Sequence, residues 1–282
     1  MTSAYGTDPR LTYSEYLHVP ELLEHQIPLT EPGAHDEMQF IVVHQVYELW
    51  FRLILHTVDE IDRLLRSGSE RDLRNVVRLG RRIQRILEVL VKQIHVLETM
   101  RPSDFLAFRT RLNPASGFQS VQFREFECAL GLKDRRLVAH TKPDPRHAHA
   151  LARLEAESIA DHLYRLLNEH GFEVVLPTLN RIDGTERTEA EEATTLKSLR
   201  RIYDAPDDHP LLYELCEGLV EIDEQVVLWR RHHVMMVERQ IGDKPGTGKG
   251  TTGDLDGIRY LITTIMRKAF PDLWAVRTVL TD

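Results

Sequence analysis

The chain is short of the features that usually announce a function. Only two cysteines, Cys128 and Cys216, occur in 282 residues, and neither has a partner at metal-type or redox-type spacing. A disulfide framework is therefore not expected, and a reducing, cytoplasmic setting fits. Positive charge is not in excess: the formal net charge is −8. Nucleic acid is disfavoured as a partner, because phosphate binding relies on clustered cations. No apolar run approaches the roughly 20 residues that a membrane span needs, so no membrane role is expected. Met1 to Leu11 lack a basic start and an apolar stretch, and do not read as a secretory signal. Strand-type alternation persists nowhere, and neither an internal repeat nor a linker is evident.

What is present is helical periodicity. The chain is 42% hydrophobic and 28% charged, the balance of a globular protein with a core of its own. From Asp36 to Leu65 apolar residues recur every three or four positions: Phe40, Val43, Tyr47, Trp50, Ile54, Val58, Ile61 and Leu65. Gly68 supplies a stop, and Ser69 and Asp72 have capping-box spacing with the shorter acid. A second helix carries Leu73, Val76, Ile83, Ile86, Leu90, Ile94 and Leu97 on one side. Arg74, Arg78, Arg81, Arg82 and Arg85 crowd its other side, read as a solvated face in an acidic protein. Pro102-Ser103-Asp104 starts a helix leading to Leu112, and Asn113 to Gly117 reads as a loop. Further helices are expected over Ser120–Leu130, Arg146–His170, Glu189–Tyr203, from Pro210 to Ile241, and over Leu255–Phe270. The fold class expected is all-α: one domain over residues 1–282, a bundle of long antiparallel helices.

Two histidines sit on apolar helix faces, His44 and His233. Periodicity leaves two readings open for each, a satisfied core residue or an iron ligand or proton handler. His232 lies about 100° around the helix from His233, so the two do not share a face. His233 shares one with Trp229. His147 and His149 diverge at their spacing and read as solvated. The stretch from Gly246 to Gly253 invites a phosphate-loop reading, which fails on context. Asp243 stands where the first glycine is needed, Gly250 follows Lys249, and a helix rather than a strand precedes. What remains is a loop able to order over a ligand. Arg109, closing the apolar Phe105-Leu106-Ala107-Phe108, either snorkels to water or clamps a carboxylate.

Several longer motifs then coincide in order. They are His35-Asp36-Glu37-Met38, Phe40-Ile41-Val42-Val43-His44-Gln45 and Glu48-Leu49-Trp50-Phe51. Pro114 to Ser120 with Gln122-Phe123-Arg124 follows, then Trp229-Arg230, His233 to Val237, Ile241-Gly242 and Gly246-Thr247-Gly248. Together they resemble the tryptophan 2,3-dioxygenase family, a branch of the haem-dependent aromatic oxygenases. The resemblance runs from about Leu11 to Thr278 and is weakest between Leu132 and Asp207.

The resemblance implies a haem pocket, with haem b as cofactor and O₂ as co-substrate. It implies cleavage of the indole C2–C3 bond of L-tryptophan to N-formyl-L-kynurenine. By the same likeness His233 is the proximal iron ligand, with Trp229 and Phe105 beside the cofactor, Phe105 in packing only. His44 accepts a hydrogen bond from the indole N–H, and Phe40 packs against the ring. Arg109 pairs with the carboxylate, Thr247 bonds the amino-acid end, and Ser116 lies near the haem edge. Residues 1–34, through Tyr13, Tyr16 and Leu17, reach the pocket of a neighbouring subunit in an intertwined homotetramer. The loop around Lys249 departs from the family's usual run and is one residue longer. A relative that inserts a single oxygen into tryptophan or a β-methyl tryptophan is the alternative.

Overall fold

Gly68 and Ser69 turn the first two long helices back on one another. In the computed structural model, residues 12–113, 115, 119–134, 148–181, 184–242, 244 and 258–280 are described, with backbone alone at 149–151 and 258–260. Helix α1 spans Tyr13–Leu17, α2 Val19–Leu23, α3 His35–Ser67 and α4 Glu70–Leu97. Gly68 ends α3 at φ 64, the left-handed conformation glycine adopts without a Cβ penalty. The Ser69 hydroxyl caps α4 by accepting from the Asp72 amide at 3.3 Å. So short a link makes α3 and α4 antiparallel, and their apolar faces close on each other. Every residue expected on the inner face of α4 is buried.

Next come α5 (Pro102–Arg109), α6 (Val121–Leu130), α7 (Ala148–Glu155), α8 (Ile159–Glu169), α9 (Glu189–Asp204), α10 (Pro210–Ile241), α11 (Ile258–Thr264) and α12 (Pro271–Ala275). No strand occurs among the described residues, and none of their helices is long and apolar enough to cross a membrane. The fold is all-α. Helix α10 lies along α4 in the same direction: Gln84 donates to the Gly218 carbonyl at 2.9 Å, and Gln240 to that of Met100 at 3.0 Å. The connection between them is long enough to leave their relative direction unconstrained. Helix α3 thus opposes both neighbours. The basic side of α4 faces outward, with Arg74 paired to Glu70, Arg85 to Glu88 and Arg81 to Glu214, all exposed pairs worth little each.

Two expected helices are corrected. Residues 146–170 do not form one helix; α7 stops at Glu155 and α8 begins at Ile159. Lys133 draws off the Ala156 carbonyl at 2.6 Å, and Ser158 opens α8 with a capping box to Asp161. The terminal helix stops at Thr264, not Phe270. Downstream backbone groups bond side chains of α10 instead of a helical ladder. Arg230 takes the Arg267 carbonyl at 2.7 Å, while Asp223 accepts from the Ala269 and Phe270 amides at 2.7 and 2.9 Å. A short helix then restarts at Pro271, whose missing N–H costs nothing in a first turn.

Candidate active site

Helices α3, α5 and α10 converge on one aromatic cleft. Phe40, His44, Tyr47 and Phe51 recur along one stripe of α3. The Phe40 and His44 rings lie 4.0 Å apart. Phe105 and Phe108 of α5 stand 5.8 and 5.6 Å from Phe40. On the α10 side, the Trp229 ring stacks on His233 at 5.3 Å with a 9° interplanar angle. Tyr47, Phe51 and Phe123 surround Trp229, with Phe123 closest at 4.7 Å. The structure therefore brings His44, Phe40, Phe105, Trp229 and His233 to one place. Arg109, one turn after Phe105, closes α5 at the same side and is half-buried.

The two imidazoles differ in wiring. His44 Nδ1 lies 2.7 Å from the Phe40 carbonyl oxygen. A carbonyl only accepts, so Nδ1 carries the proton and Nε2 is left as an acceptor. Burial pulls the His44 pKa below its ordinary value, opposed by the Phe40 carbonyl and by Glu48. The acceptor form is thus the one present at neutral pH. The His233 imidazole makes no hydrogen bond with a described residue. Desolvation, then His44 and Arg124, push its pKa down to about 4. Neutral imidazole with a free lone pair is the form that binds iron.

Several motif residues fix the cleft rather than line it. The Glu48 carboxylate accepts from the Ser120 hydroxyl at 2.7 Å and from Gln122 at 2.8 Å, tying α3 to the start of α6. Glu37, buried at 1% exposure, accepts from the Leu29 and Thr30 amides at 2.7 and 3.1 Å and from the Thr30 hydroxyl at 2.5 Å. Gln45 donates to the His25 carbonyl at 2.9 Å and accepts from Gln26 at 2.6 Å. The chain before α3 is latched here, whereas α1 and α2 bury nothing. Tyr13 and Tyr16 are 78% and 70% exposed and Leu17 is exposed too, so none reaches this chain's own cleft. Ser116, Thr247 and the Lys249 loop lie outside the described residues.

A model of the tryptophan 2,3-dioxygenase family matches residues 4–169 and 176–280. The chain belongs to the tryptophan 2,3-dioxygenase family. Among its relatives is the tryptophan 2,3-dioxygenase of Anaeromyxobacter dehalogenans (strain 2CP-C), 43% identical over 99% of this chain and 100% of that protein. The tryptophan 2,3-dioxygenases of Herpetosiphon aurantiacus and Caulobacter vibrioides are 42% and 40% identical, over 95% and 96% of this chain and 97% and 98% of theirs.

Within this family member, Tyr47, Phe108 and Phe123 join the cleft although the sequence assigned them no role. For two of them a signal was available, since Tyr47 lies three positions after His44 and Phe108 three after Phe105; Phe123 stood only within the Gln122-Phe123-Arg124 motif. Among the described residues no group of three or more His, Cys, Asp or Glu could hold a metal. A lone neutral His233 over an aromatic floor fits a metal that arrives with a macrocycle supplying most of its ligands.

Proposed function

We propose that this chain is a haem-dependent oxygenase that cleaves the indole C2–C3 bond of L-tryptophan with O₂, giving N-formyl-L-kynurenine. Family membership over nearly the whole chain supports the reaction. The observation that carries the site is the pair of inward histidines wired differently, one lone pair held for a metal and one for a donor. His233 would hold the haem iron, with the Trp229 ring against the imidazole. Bound there, haem supplies the dioxygen activation that no side chain provides.

The chain's own residues do the rest by positioning. His44 accepts the indole N–H at Nε2 while its Nδ1–H keeps the ring fixed on the Phe40 carbonyl. Phe40 and Phe105, backed by the fully buried Phe108, form an apolar slot for the indole plane and exclude water from it. Arg109 pairs with the substrate carboxylate by its planar fork, and Thr247 with the amino-acid end. Ser116 stands at the cofactor edge. Residues 1–34 act as an arm of a single domain, and the exposed Tyr13, Tyr16 and Leu17 cover the cleft of a neighbouring subunit in a homotetramer. The cytoplasm supplies the reducing conditions the ferrous state needs.

The test is to load the protein with haem, reduce it without oxygen, then add L-tryptophan and O₂ and weigh the product. A gain of both oxygen atoms as N-formyl-L-kynurenine is expected. A product gaining one oxygen, or no turnover, overturns the reading.

A further inference from the structure

Behind Trp229 lies a buried ionic cluster that none of these roles uses. Arg124 and Glu127 sit one turn apart on α6, and Arg230 follows Trp229 on α10. Glu127 receives Arg124 at 2.5 Å through one oxygen and Arg230 at 2.6 Å through the other. The three side chains are 10%, 7% and 5% exposed. Burial would raise the Glu127 carboxyl, but the two guanidiniums outweigh it and hold it below its ordinary value. These three side chains together carry +1; the buried Asp223 carboxylate also acts on Arg230, and Arg124 is the guanidinium whose charge reaches His233. The cluster adjoins a series of rings in which Phe123 is tilted at 43° to Trp229 and Trp229 stacks on His233. The Arg124 guanidinium lies 5.3 Å from the Phe123 ring, Phe123 4.7 Å from Trp229, and Trp229 5.3 Å from His233.

We infer that the Arg124–Glu127–Arg230 cluster is an electrostatic positioning element for the group held by His233. It fixes the Phe123–Trp229–His233 series of rings, and the charge of Arg124, which adjoins that series, favours the reduced, less positive state of that group. This rests on the reading that His233 ligates haem iron. The physical step is short. A change of one unit in a buried charge is little screened by salt. Acting across on the order of 10 Å at an effective dielectric near 20, it biases a one-electron equilibrium by about tenfold.

The experiment is a spectroelectrochemical titration of the haem-loaded protein, with His233→Gly as the control for ligation. Arg124→Met takes the cluster from +1 to neutral and should disfavour the ferrous form about tenfold, equivalent to about 59 mV for one electron. Glu127→Gln takes it from +1 to +2 and should favour the ferrous form by a similar factor. Arg124→Lys keeps the charge and should stay within about twofold of the wild type. Loss of packing alone would move both charge variants the same way, so opposite signs report charge. If one charge variant does not fold, the other is judged against Arg124→Lys, which perturbs packing at constant charge, and a shift of the wrong sign overturns the inference. Shifts of equal sign, or none beyond about twofold, overturn the inference while leaving haem on His233. Failure of the wild type to take up haem, or an unchanged five-coordinate spectrum in His233→Gly, overturns the haem reading and this inference with it.

Discussion

Replacing His44 with alanine removes a single acceptor from the cleft. The Nδ1–H···O bond to the Phe40 carbonyl, 2.7 Å long, commits the other nitrogen to accepting. A neutral hydrogen bond of this kind contributes about 0.5–1.5 kcal/mol net. His44→Ala should therefore lower kcat/KM for L-tryptophan roughly 2- to 13-fold, with haem absorption unchanged. Tryptophan methylated at the indole nitrogen supplies the second leg of the comparison. It cannot donate, and its methyl group collides with the His44 ring in the wild type. In the alanine variant the vacated space admits the methyl. The wild-type preference for tryptophan over the methylated analogue should collapse in the variant. Equal discrimination by both proteins would refute the assignment of Nε2 as the acceptor.

Acidity gives an independent arm of the same test. Burial depresses the His44 pKa below 6.5. A neutral group is the working form, so function is full above that depressed value and is lost as pH falls through it. Protonation turns Nε2 into a donor facing a donor. The acid limb of the wild-type kcat/KM profile should lie below pH 6.5 and be missing from His44→Ala. A limb at or above that value, or one retained in the variant, would contradict the wiring.

Other positions carry structural predictions. Gly131→Ala places a Cβ 2.5 Å from Asn180 Nδ2 and 2.9 Å from the Ala160 Cβ at φ 125, so denaturant unfolding should show a loss of about 1–3 kcal/mol. Asp223→Asn turns one oxygen that accepts from Phe270 at 2.9 Å into a donor, and calorimetry should show a lower Tm with about 1–3 kcal/mol lost. Glu37→Gln breaks the latch on Leu29 and Thr30, so their amides should exchange with deuterium roughly 5- to 150-fold faster in the assembled protein. Unchanged exchange at both would show that the segment is held by something else.

Helix existence was legible because burial imposes it on spacing. The inner face of α4 reads directly from Leu73 to Leu97, since a half-buried helix cannot hide its 3.6-residue period. The break between α7 and α8 was not legible. It depends on Lys133, far away in sequence, reaching the Ala156 carbonyl. Nor was the early end of α11, which is set by Asp223 and Arg230 diverting backbone groups. Both misses have one cause: side chains from distant elements compete for backbone that local propensity would place in a helix. In the cleft, periodicity carried His44 and His233 as far as the inner faces and no further. The tautomer of His44 needed the distance to its own helix's carbonyl, and the stacking of Trp229 on His233 needed rotamers that spacing does not specify.

The motif residues divide by what they touch, and the division says why a single histidine identifies so little. Of the residues in the matching motifs, Phe40, His44, Trp229 and His233 face the cleft. Glu37, Gln45, Glu48, Ser120 and Gln122 bind one another's segments instead. A ring pair such as Phe40 and His44 could arise on many apolar helix faces. It gains a fixed geometry only because Glu48 pins α6 beneath α3, which sets Phe123 against Trp229 and so orients His233. A productive approach of two reacting groups tolerates little misplacement, and a 1 Å error costs on the order of 100-fold. Loss of Glu48 should accordingly weaken catalysis through geometry, although its carboxylate bonds Ser120 and Gln122 rather than any ring of the cleft. Glu48→Gln keeps one acceptor for those two donors and should lower kcat/KM less than Glu48→Ala, with haem retained in both. If steady-state kinetics show the two variants equally impaired, the carboxylate acts by its charge rather than by pinning α6.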